Sequence, residues 1–182
     1  MSYFDNNATT PLHPKARQAL LDASTENWAN PSSPYRISAK VRASMQLCRE
    51  SIASSLDTDS NQITFTSGST EANNSVFSNL ARTASSSSRV LLSSYEHPSV
   101  SEAAHHWFAD RVDYLGAQPD GTVSTDDLEA CLSKEPLPAL VSILAASNES
   151  GVIQLWREAA RICRKFGVPY HCDSTQLPGK EN

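Results

Sequence analysis

The sequence lacks an apolar run of the roughly 20 residues that a membrane-spanning helix needs, which argues against a membrane contact. It also lacks a basic excess, because 15 Lys and Arg stand against 20 Asp and Glu, for a formal net charge of -5. Proteins that bind nucleic acid usually present a basic face, so we expect no nucleic-acid partner. The first residues, Met1 to Asn7, lack the basic and apolar regions of a secretory signal, so we expect a cytoplasmic protein.

Paired cysteines are also absent. The four cysteines are Cys48, Cys131, Cys163 and Cys172, and no two of them form a C-x-x-C pair. Structural zinc sites favour such pairs, so zinc binding is the less favoured alternative. Thiols in the cytosol are normally reduced. We therefore expect four free thiols and no metal site.

The hydrophobic pattern indicates a globular protein of alternating strands and helices. Apolar residues at helical spacing predict helices at residues 14–27, 36–56, 70–83, 99–110, 125–133 and 156–166. Short apolar runs predict strands at residues 62–66, 89–94, 111–115, 139–145 and 168–172. Such alternation is typical of βαβ units. We therefore predict an α/β fold with a mainly parallel sheet sandwiched by helices, which binds ligands at the carboxyl ends of its strands.

The first candidate site joins the end of a predicted strand to the start of a helix. Gly68 allows a tight turn, and the hydroxyls of Ser69 and Thr70 come beside the first N–H groups of the helix. Such a helix start suits a phosphate, although this motif alone is more often an ordinary helix cap. It is not a nucleotide-binding P-loop, because Gly68 is not followed by Gly-Lys-Ser/Thr.

Two further polar residues follow predicted strands. His97 follows the strand at residues 89–94, where an imidazole can lie against an aromatic ring or transfer protons. A histidine with a structural or surface role is the commoner alternative. Asn148 follows the apolar strand at residues 139–145 and is a candidate hydrogen-bond donor to a ligand. A plain Asx turn is the alternative there.

Asp173 ends the last predicted strand, where a lone carboxylate is costly to bury without a cationic partner. A protonated pyridine nitrogen is such a partner. Gln176, three residues later, could reach the phenolic oxygen of the same ring. The alternative for Asp173 is a cap on the next element of secondary structure.

Together, these motifs resemble those of the cysteine desulfurases, which belong to the class V aminotransferase group of fold-type I enzymes that use pyridoxal 5'-phosphate (PLP). Tyr3 to Pro11, Tyr-Phe-Asp-Asn-Asn-Ala-Thr-Thr-Pro, is similar to the opening signature of that family. Asn30 to Ser33, Asn-Pro-Ser-Ser, is similar to its next signature. The resemblance covers nearly the whole chain.

The resemblance implies a truncated large domain of the PLP-dependent transferase fold type I. Residues 1–30 would form an N-terminal segment and residues 60–182 a cofactor-binding α/β core, with the C-terminal part absent. It also implies that PLP is the cofactor. Ser69 and Thr70 would bind its phosphate, and Thr70 is the closer match to the family.

The resemblance further implies roles around the cofactor ring. His97 would stack on the pyridine ring and move protons as the catalytic residue. Asn148 and Gln176 would approach the phenolic oxygen, and Asp173 would approach the pyridine nitrogen. The family converts L-cysteine to L-alanine, transfers a persulfide sulfur for iron–sulfur cluster or thio-cofactor assembly, and forms homodimers.

The chain departs from the family because it ends at Asn182, before the Ser-x-His-Lys motif that carries the Schiff-base lysine. The nucleophilic cysteine of the family lies further on still. Lys180 is the nearest lysine to the site in sequence, and we do not expect it to replace the missing one. We therefore expect a chain that binds PLP noncovalently and does not turn over cysteine alone.

Three hypotheses stay open at this point. The chain is part of a cysteine desulfurase, or a non-catalytic fragment or partner-binding module, or part of another class V enzyme such as an aminotransferase or a selenocysteine lyase. The opening signature and Ser147 to Val152, Ser-Asn-Glu-Ser-Gly-Val, favour a desulfurase over the last of these.

Overall fold

A computed structural model describes residues 2–180 of the chain. The chain divides into two compact units, Met1–Phe65 and Thr66–Asn182. This division is a feature of the backbone contacts. The narrower division predicted from the family, an N-terminal segment of residues 1–30 and a cofactor-binding core of residues 60–182, stays a prediction.

The first unit contains two helices, α1 (Pro14–Glu26) and α2 (Arg36–Ser55), followed by a short 3-10 turn at Ser60–Gln62. A proline in the first turn of α1 supplies a backbone angle suited to a helix start. No residue of α1 is buried, and the buried residues of α2 are Ser38, Val41 and Ala53.

The predicted strand at residues 62–66 is wrong. No β pairing involves residues 63–66 in the described part of the chain. The N–H of Ile63 donates to the carbonyl of Ser60, and the carbonyl of Ile63 accepts from the guanidinium of Arg49 at 3.2 Å. A strand needs hydrogen bonds to a neighbouring strand. The β-branched and aromatic residues of this segment favour an extended backbone, but they do not determine whether another strand lies beside it.

The second unit is a four-stranded parallel sheet with strand order β2-β1-β3-β4. The strands are β1 (Val90–Ser93), β2 (Val112–Leu115), β3 (Leu140–Ser142) and β4 (Tyr170–His171). The helices are α3 (Ser69–Thr83), α4 (Pro98–Phe108), α5 (Thr125–Leu132) and α6 (Trp156–Lys165).

Two apolar cores lie on opposite faces of this sheet, because successive strand residues point to opposite faces. Leu91 of β1 belongs to the core that contains buried residues of α5 and α6. Its neighbours Val90 and Leu92 belong to the core that contains buried residues of α3 and α4. The sheet is therefore covered by helices on both faces.

This architecture confirms the predicted α/β fold with a parallel sheet between helices. Each predicted helix is present and begins and ends within two residues of its predicted bounds. The strands are shorter than predicted, although Leu140 to Ala145 are all buried, as expected for an apolar central strand. Within residues 2–180, no helix is both long enough and apolar enough to cross a membrane.

Candidate cofactor site at the carboxyl edge of the sheet

The carboxyl ends of β1, β3 and β4 lie along one edge of the sheet, as in any parallel sheet. Beyond the last paired residues of β3 and β4, the backbones stay in register. The N–H of Ile143 donates to the carbonyl of His171 at 3.2 Å, and the N–H of Ala145 donates to that of Asp173 at 2.9 Å. This edge therefore holds Asp173 beside the segment that leads to Asn148.

Ser69 and Thr70 begin α3, and both residues are exposed. The cap position is Gly68, with no side-chain capping bond; instead, Glu71 accepts from the backbone N–H of Ser67 at 2.8 Å. Hydrogen bonds from the hydroxyl and N–H of Ser67 lower the pKa of Glu71. Neither Ser69 nor Thr70 is the ordinary helix cap that the motif alone favours.

Gly68 does not make the tight turn that we expected from its sequence. Its φ is 164°, which is extended backbone open to any residue. A Cβ placed on Gly68 would meet no atom within 4 Å. The first N–H groups of a helix have no acceptor within the helix, so the start of α3 presents donors to an open space.

Asp173 is half-buried, and its two carboxylate oxygens have different partners. Oδ2 accepts from the Nδ2 of Asn73 at 2.9 Å, and Oδ1 accepts from the N–H of Thr175 at 3.0 Å. Burial acts to raise the pKa of Asp173, but these hydrogen bonds and the nearby His171 outweigh it, so the pKa is lowered. Asp173 is therefore ionised at neutral pH. Its contact with Thr175 closes a local turn and caps no helix or strand, because none follows β4 up to residue 180.

Asn73 lies on α3, is only 4% exposed and contacts three other side chains. Besides Asp173, its Nδ2 donates to the Oγ of Ser99 at 3.0 Å, and its Oδ1 lies 3.2 Å from the Nε2 of His171. The Nδ1 of His171 lies 2.8 Å from the Oγ of Ser142. We call these five side chains, Asn73, Asp173, Ser99, His171 and Ser142, the Asn73 network.

His97 is exposed and caps the start of α4. Its Nδ1 accepts from the N–H of Ser99 at 3.1 Å and lies 2.8 Å from the Oγ of Ser99. These bonds assign the proton of the neutral ring to Nε2. The structural role that we considered for His97 is thus present, and it leaves the ring at the surface next to the Asn73 network.

The other two predicted residues lie on loops beyond the sheet edge. Asn148 is half-buried in a loop closed by the N–H of Ser147, which donates to the carbonyl of Val152 at 3.0 Å. Gln176 is half-buried in the turn after Asp173, and its Oε1 accepts from the Nζ of Lys180. Both residues therefore lie on loops that follow the carboxyl ends of β3 and β4.

Glu96 places a second carboxyl group behind this edge. Its Oε1 accepts from the Oγ of Ser93 at 2.9 Å and from the N–H of Leu144 at 2.8 Å. Its Oε2 is buried without a hydrogen-bond partner in the part of the chain that the structure describes. Burial is the main reason that the pKa of Glu96 is raised to about 7, and the charge of Asp173 raises it further.

A family model for class-V aminotransferases matches residues 2–182. The chain belongs to the class-V aminotransferase family. It is 33% identical over 182 residues to the cysteine desulfurase IscS of Dictyoglomus turgidum, covering 97% of this chain and 45% of that relative. It is 34% identical over 182 residues to the mitochondrial cysteine desulfurase of Candida albicans, covering 98% of this chain and 37% of the relative.

The structural comparison agrees with the sequence comparison. A solved NifS-like protein superposes with a TM-score of 0.90 at 30% identity, covering 98% of this chain and 50% of the other. This class-V aminotransferase chain therefore spans about half the length of the relatives that it matches. The resemblance to cysteine desulfurases that we drew from the motifs is confirmed.

Sequence reasoning missed most of the Asn73 network of this class-V aminotransferase. A signal was present for Asn73, because it lies one helical turn before the buried Phe77 and so takes a core-facing position with a polar side chain. Glu96 is next to His97 in sequence and His171 is two residues before Asp173, yet neither was given a role. Among residues 2–180, no three His, Cys, Asp or Glu side chains are grouped to hold a metal ion.

Proposed function

We propose that this edge of the sheet binds PLP and is part of a cysteine desulfurase active site, which converts L-cysteine to L-alanine and passes the sulfur on as a persulfide. The observation that carries the proposal is the half-buried Asp173, held ionised by Asn73 and Thr175. An ionised carboxylate is the partner that a protonated pyridine nitrogen requires. The cysteine desulfurases among the relatives support the choice of reaction.

The donors at the start of α3 fit the phosphate of PLP. Ser69 and Thr70 offer exposed hydroxyls, and the helix start adds backbone N–H groups and the positive end of the helix dipole. The open space beside Gly68 leaves room for a bound anion there. Ser69 and Thr70 are therefore the proposed phosphate ligands.

The remaining residues fit the ring of the cofactor. Asp173 would hold the proton on the pyridine nitrogen, and the exposed ring of His97 would stack on the pyridine face. Asn148 and Gln176, on the loops beyond β3 and β4, would donate to the phenolic oxygen.

When bound, PLP supplies an electron sink that stabilises negative charge on the substrate carbon. The chain contributes the charge and the protons around that sink. Asp173, whose own pKa is lowered, would keep the proton on the pyridine nitrogen of a bound cofactor. His97 has Nδ1 engaged by Ser99, so Nε2 is the atom that would exchange a proton with the substrate.

A desulfurase also needs a lysine that carries the cofactor and a cysteine that takes the sulfur. Lys180 contacts the site residue Gln176, but it does not match the lysine motif of the family. Burial raises the pKa of the nearby Cys172, so its thiol is a poor nucleophile. We therefore propose that the 182 residues alone bind PLP noncovalently and do not turn over cysteine.

The test is a titration of the purified chain with PLP, followed by absorbance, borohydride reduction and mass spectrometry. We expect saturable binding, no lysine with a stoichiometric pyridoxyl adduct, and no alanine from cysteine. Asp173→Asn keeps the size of the side chain but removes its charge, and should weaken PLP binding at least tenfold, about 1.4 kcal/mol.

The matched control is Asp126→Asn, which removes an exposed carboxylate at the start of α5 and should bind PLP as the unchanged chain does. Equal PLP binding by the Asp173→Asn chain and the unchanged chain would overturn the proposed site. Alanine formation with an adduct at Lys180 would overturn the proposal of noncovalent binding without turnover.

A further inference from the structure

We infer that Asn73 is a positioning residue whose single amide group fixes both the carboxylate of Asp173 and the imidazole of His97. The inference rests on the proposed function, because those two side chains matter together only if both face one cofactor ring. It adds a residue that touches neither the ring nor the substrate. Asn73 would act through its neighbours.

The hydrogen-bond partners of the Asn73 amide fix its orientation. The two hydrogens of Nδ2 point to Asp173 Oδ2 at 2.9 Å and to Ser99 Oγ at 3.0 Å, while Oδ1 faces His171 Nε2 at 3.2 Å. A flipped amide would set its oxygen against an ionised carboxylate and lose the donor to Asp173. The ionised state of Asp173 therefore permits one orientation of the amide.

Ser99 links Asn73 to His97. Because Ser99 Oγ accepts from Asn73, its own hydrogen is available to His97 Nδ1 at 2.8 Å. The N–H of Ser99 points to the same nitrogen at 3.1 Å. With two donors on Nδ1, the proton of the neutral ring is on Nε2, the atom proposed to face the substrate.

His171 contacts the oxygen of the Asn73 amide. Burial lowers the pKa of His171, despite the nearby charge of Asp173, so this ring is neutral. Because the oxygen of Asn73 can only accept, the single proton of this ring is on Nε2 and is donated to Asn73 Oδ1. The Nδ1 of His171 is then an acceptor and lies 2.8 Å from the Oγ of Ser142. Each polar atom of the amide is thus held by a side chain from a different element of the fold.

Three titratable groups surround Asp173: His171, Cys172 and Glu96. Burial keeps His171 and the thiol of Cys172 uncharged near neutral pH, and it raises the pKa of Glu96 to about 7. None of the three supplies a full positive charge to Asp173. The hydrogen bonds from the N–H of Thr175 and from Asn73 are therefore the main reasons that Asp173 stays ionised.

The test uses the full chain without cofactor, so its readout does not depend on PLP. Carbon-13 NMR follows the titration of the Asp173 carboxyl, assigned with Asp173→Asn, and nitrogen-15 NMR reports which ring nitrogen of His97 is protonated. Asn73→Leu keeps the approximate size and removes the amide. We expect Asp173 to bind a proton roughly tenfold more tightly and His97 to gain the Nδ1–H form.

The matched control is Asn74→Leu, one residue along α3. Asn74 is exposed and accepts from Trp107 Nε1 at 2.8 Å, outside the Asn73 network. The Asn74→Leu variant should leave the Asp173 carboxyl titration and the His97 ring signals unchanged. If Asn73→Leu gave the same two signals as Asn74→Leu, while only lowering thermal stability, Asn73 would be a packing residue and the inference would be wrong.

Two milder variants keep the test decisive if Asn73→Leu fails to fold. Ser99→Ala removes the hydroxyl between Asn73 and His97, and should raise the Nδ1–H form of His97 while the Asp173 titration stays unchanged. Asn73→Asp replaces the donor with an acceptor, and should raise the proton affinity of Asp173. No change in either variant would overturn the inference, whereas failure of the unchanged chain to bind PLP would count against the proposed function alone.

Discussion

The two compact units differ in how they treat their apolar side chains. In Thr66–Asn182, apolar side chains form two cores, one on each face of the sheet. In Met1–Phe65, Leu20 and Trp28 are 63% and 71% exposed, and α1 buries nothing. Burial of apolar surface is the main force that stabilises a fold. Both apolar cores are built from residues of the second unit, and no described residue of the first unit belongs to either.

The difference matters for function because the Asn73 network lies wholly in the packed unit. Side chains on a rigid sheet and its flanking helices hold their geometry better than side chains on loops. The segment that resembles the opening signature of the family lies in the other unit, where Phe4 is 92% exposed. The proposed site is therefore built on the unit with its own cores.

The largest effect that we expect comes from a cavity in the packed unit. Leu128 on α5 is fully buried in the core beside α6, and Leu128→Ala should lower the free energy of unfolding by about 2–5 kcal/mol. Urea unfolding followed by circular dichroism measures the loss. A loss below about 1 kcal/mol would show that this core does not stabilise the chain as its burial suggests.

A somewhat smaller effect, near 3 kcal/mol, should appear as a pH dependence of the same unit. Well below pH 4.5, Glu96 is protonated in both the folded and the unfolded chain. As the pH rises towards 7, it ionises in the unfolded chain first, so the free energy of unfolding should fall by about 3 kcal/mol and then level off.

Glu96→Gln should remove this fall, as measured by urea unfolding between pH 4.5 and pH 8. The matched control is Glu102→Gln, an exposed glutamate on α4, which should keep the slope of the unchanged chain. If the free energy of unfolding of the Glu96→Gln chain fell with pH as steeply as that of the unchanged chain, the carboxyl of Glu96 would be more hydrated than its buried Oε2 indicates.

The smallest effect belongs to the first unit and tests the comparison directly. Leu20→Ala on α1 is the same substitution as Leu128→Ala, but at a side chain that is 63% exposed. We expect the free energy of unfolding to change by less than about 0.5 kcal/mol, measured under the same urea conditions. A loss as large as that of Leu128→Ala would break the comparison between the two units.

The sequence predicted those parts of the fold that depend on local pattern. The helices followed from apolar spacing, and the buried run from Leu140 to Ala145 followed from continuous hydrophobicity. The strand expected at residues 62–66 failed because a strand depends on a partner that composition does not reveal. Local sequence pattern therefore predicted the helices and the buried run, but it did not show which extended segments pair with a neighbouring strand.

The candidate site divides in the same way. Asp173 and His97 were predictable, because each is a polar residue just after an apolar strand, and the structure joins them through Asn73 and Ser99. The link itself was not predictable, since it depends on which elements the topology brings together. The roles toward PLP of all six predicted residues stay predictions: Ser69, Thr70, His97, Asn148, Asp173 and Gln176.

The hydrogen bond between Asn73 and Asp173 joins residues 100 positions apart in the chain. At a synthesis rate of about 5–20 residues per second, Asp173 is added to the growing chain roughly 5–20 seconds after Asn73. His171, a second partner of Asn73 from the end of the sheet, is 98 positions away and is synthesised just before Asp173. A nascent chain can thus form α3 before β4 is synthesised. The amide of Asn73 gains its hydrogen bonds to His171 and Asp173 only after β4 has been added.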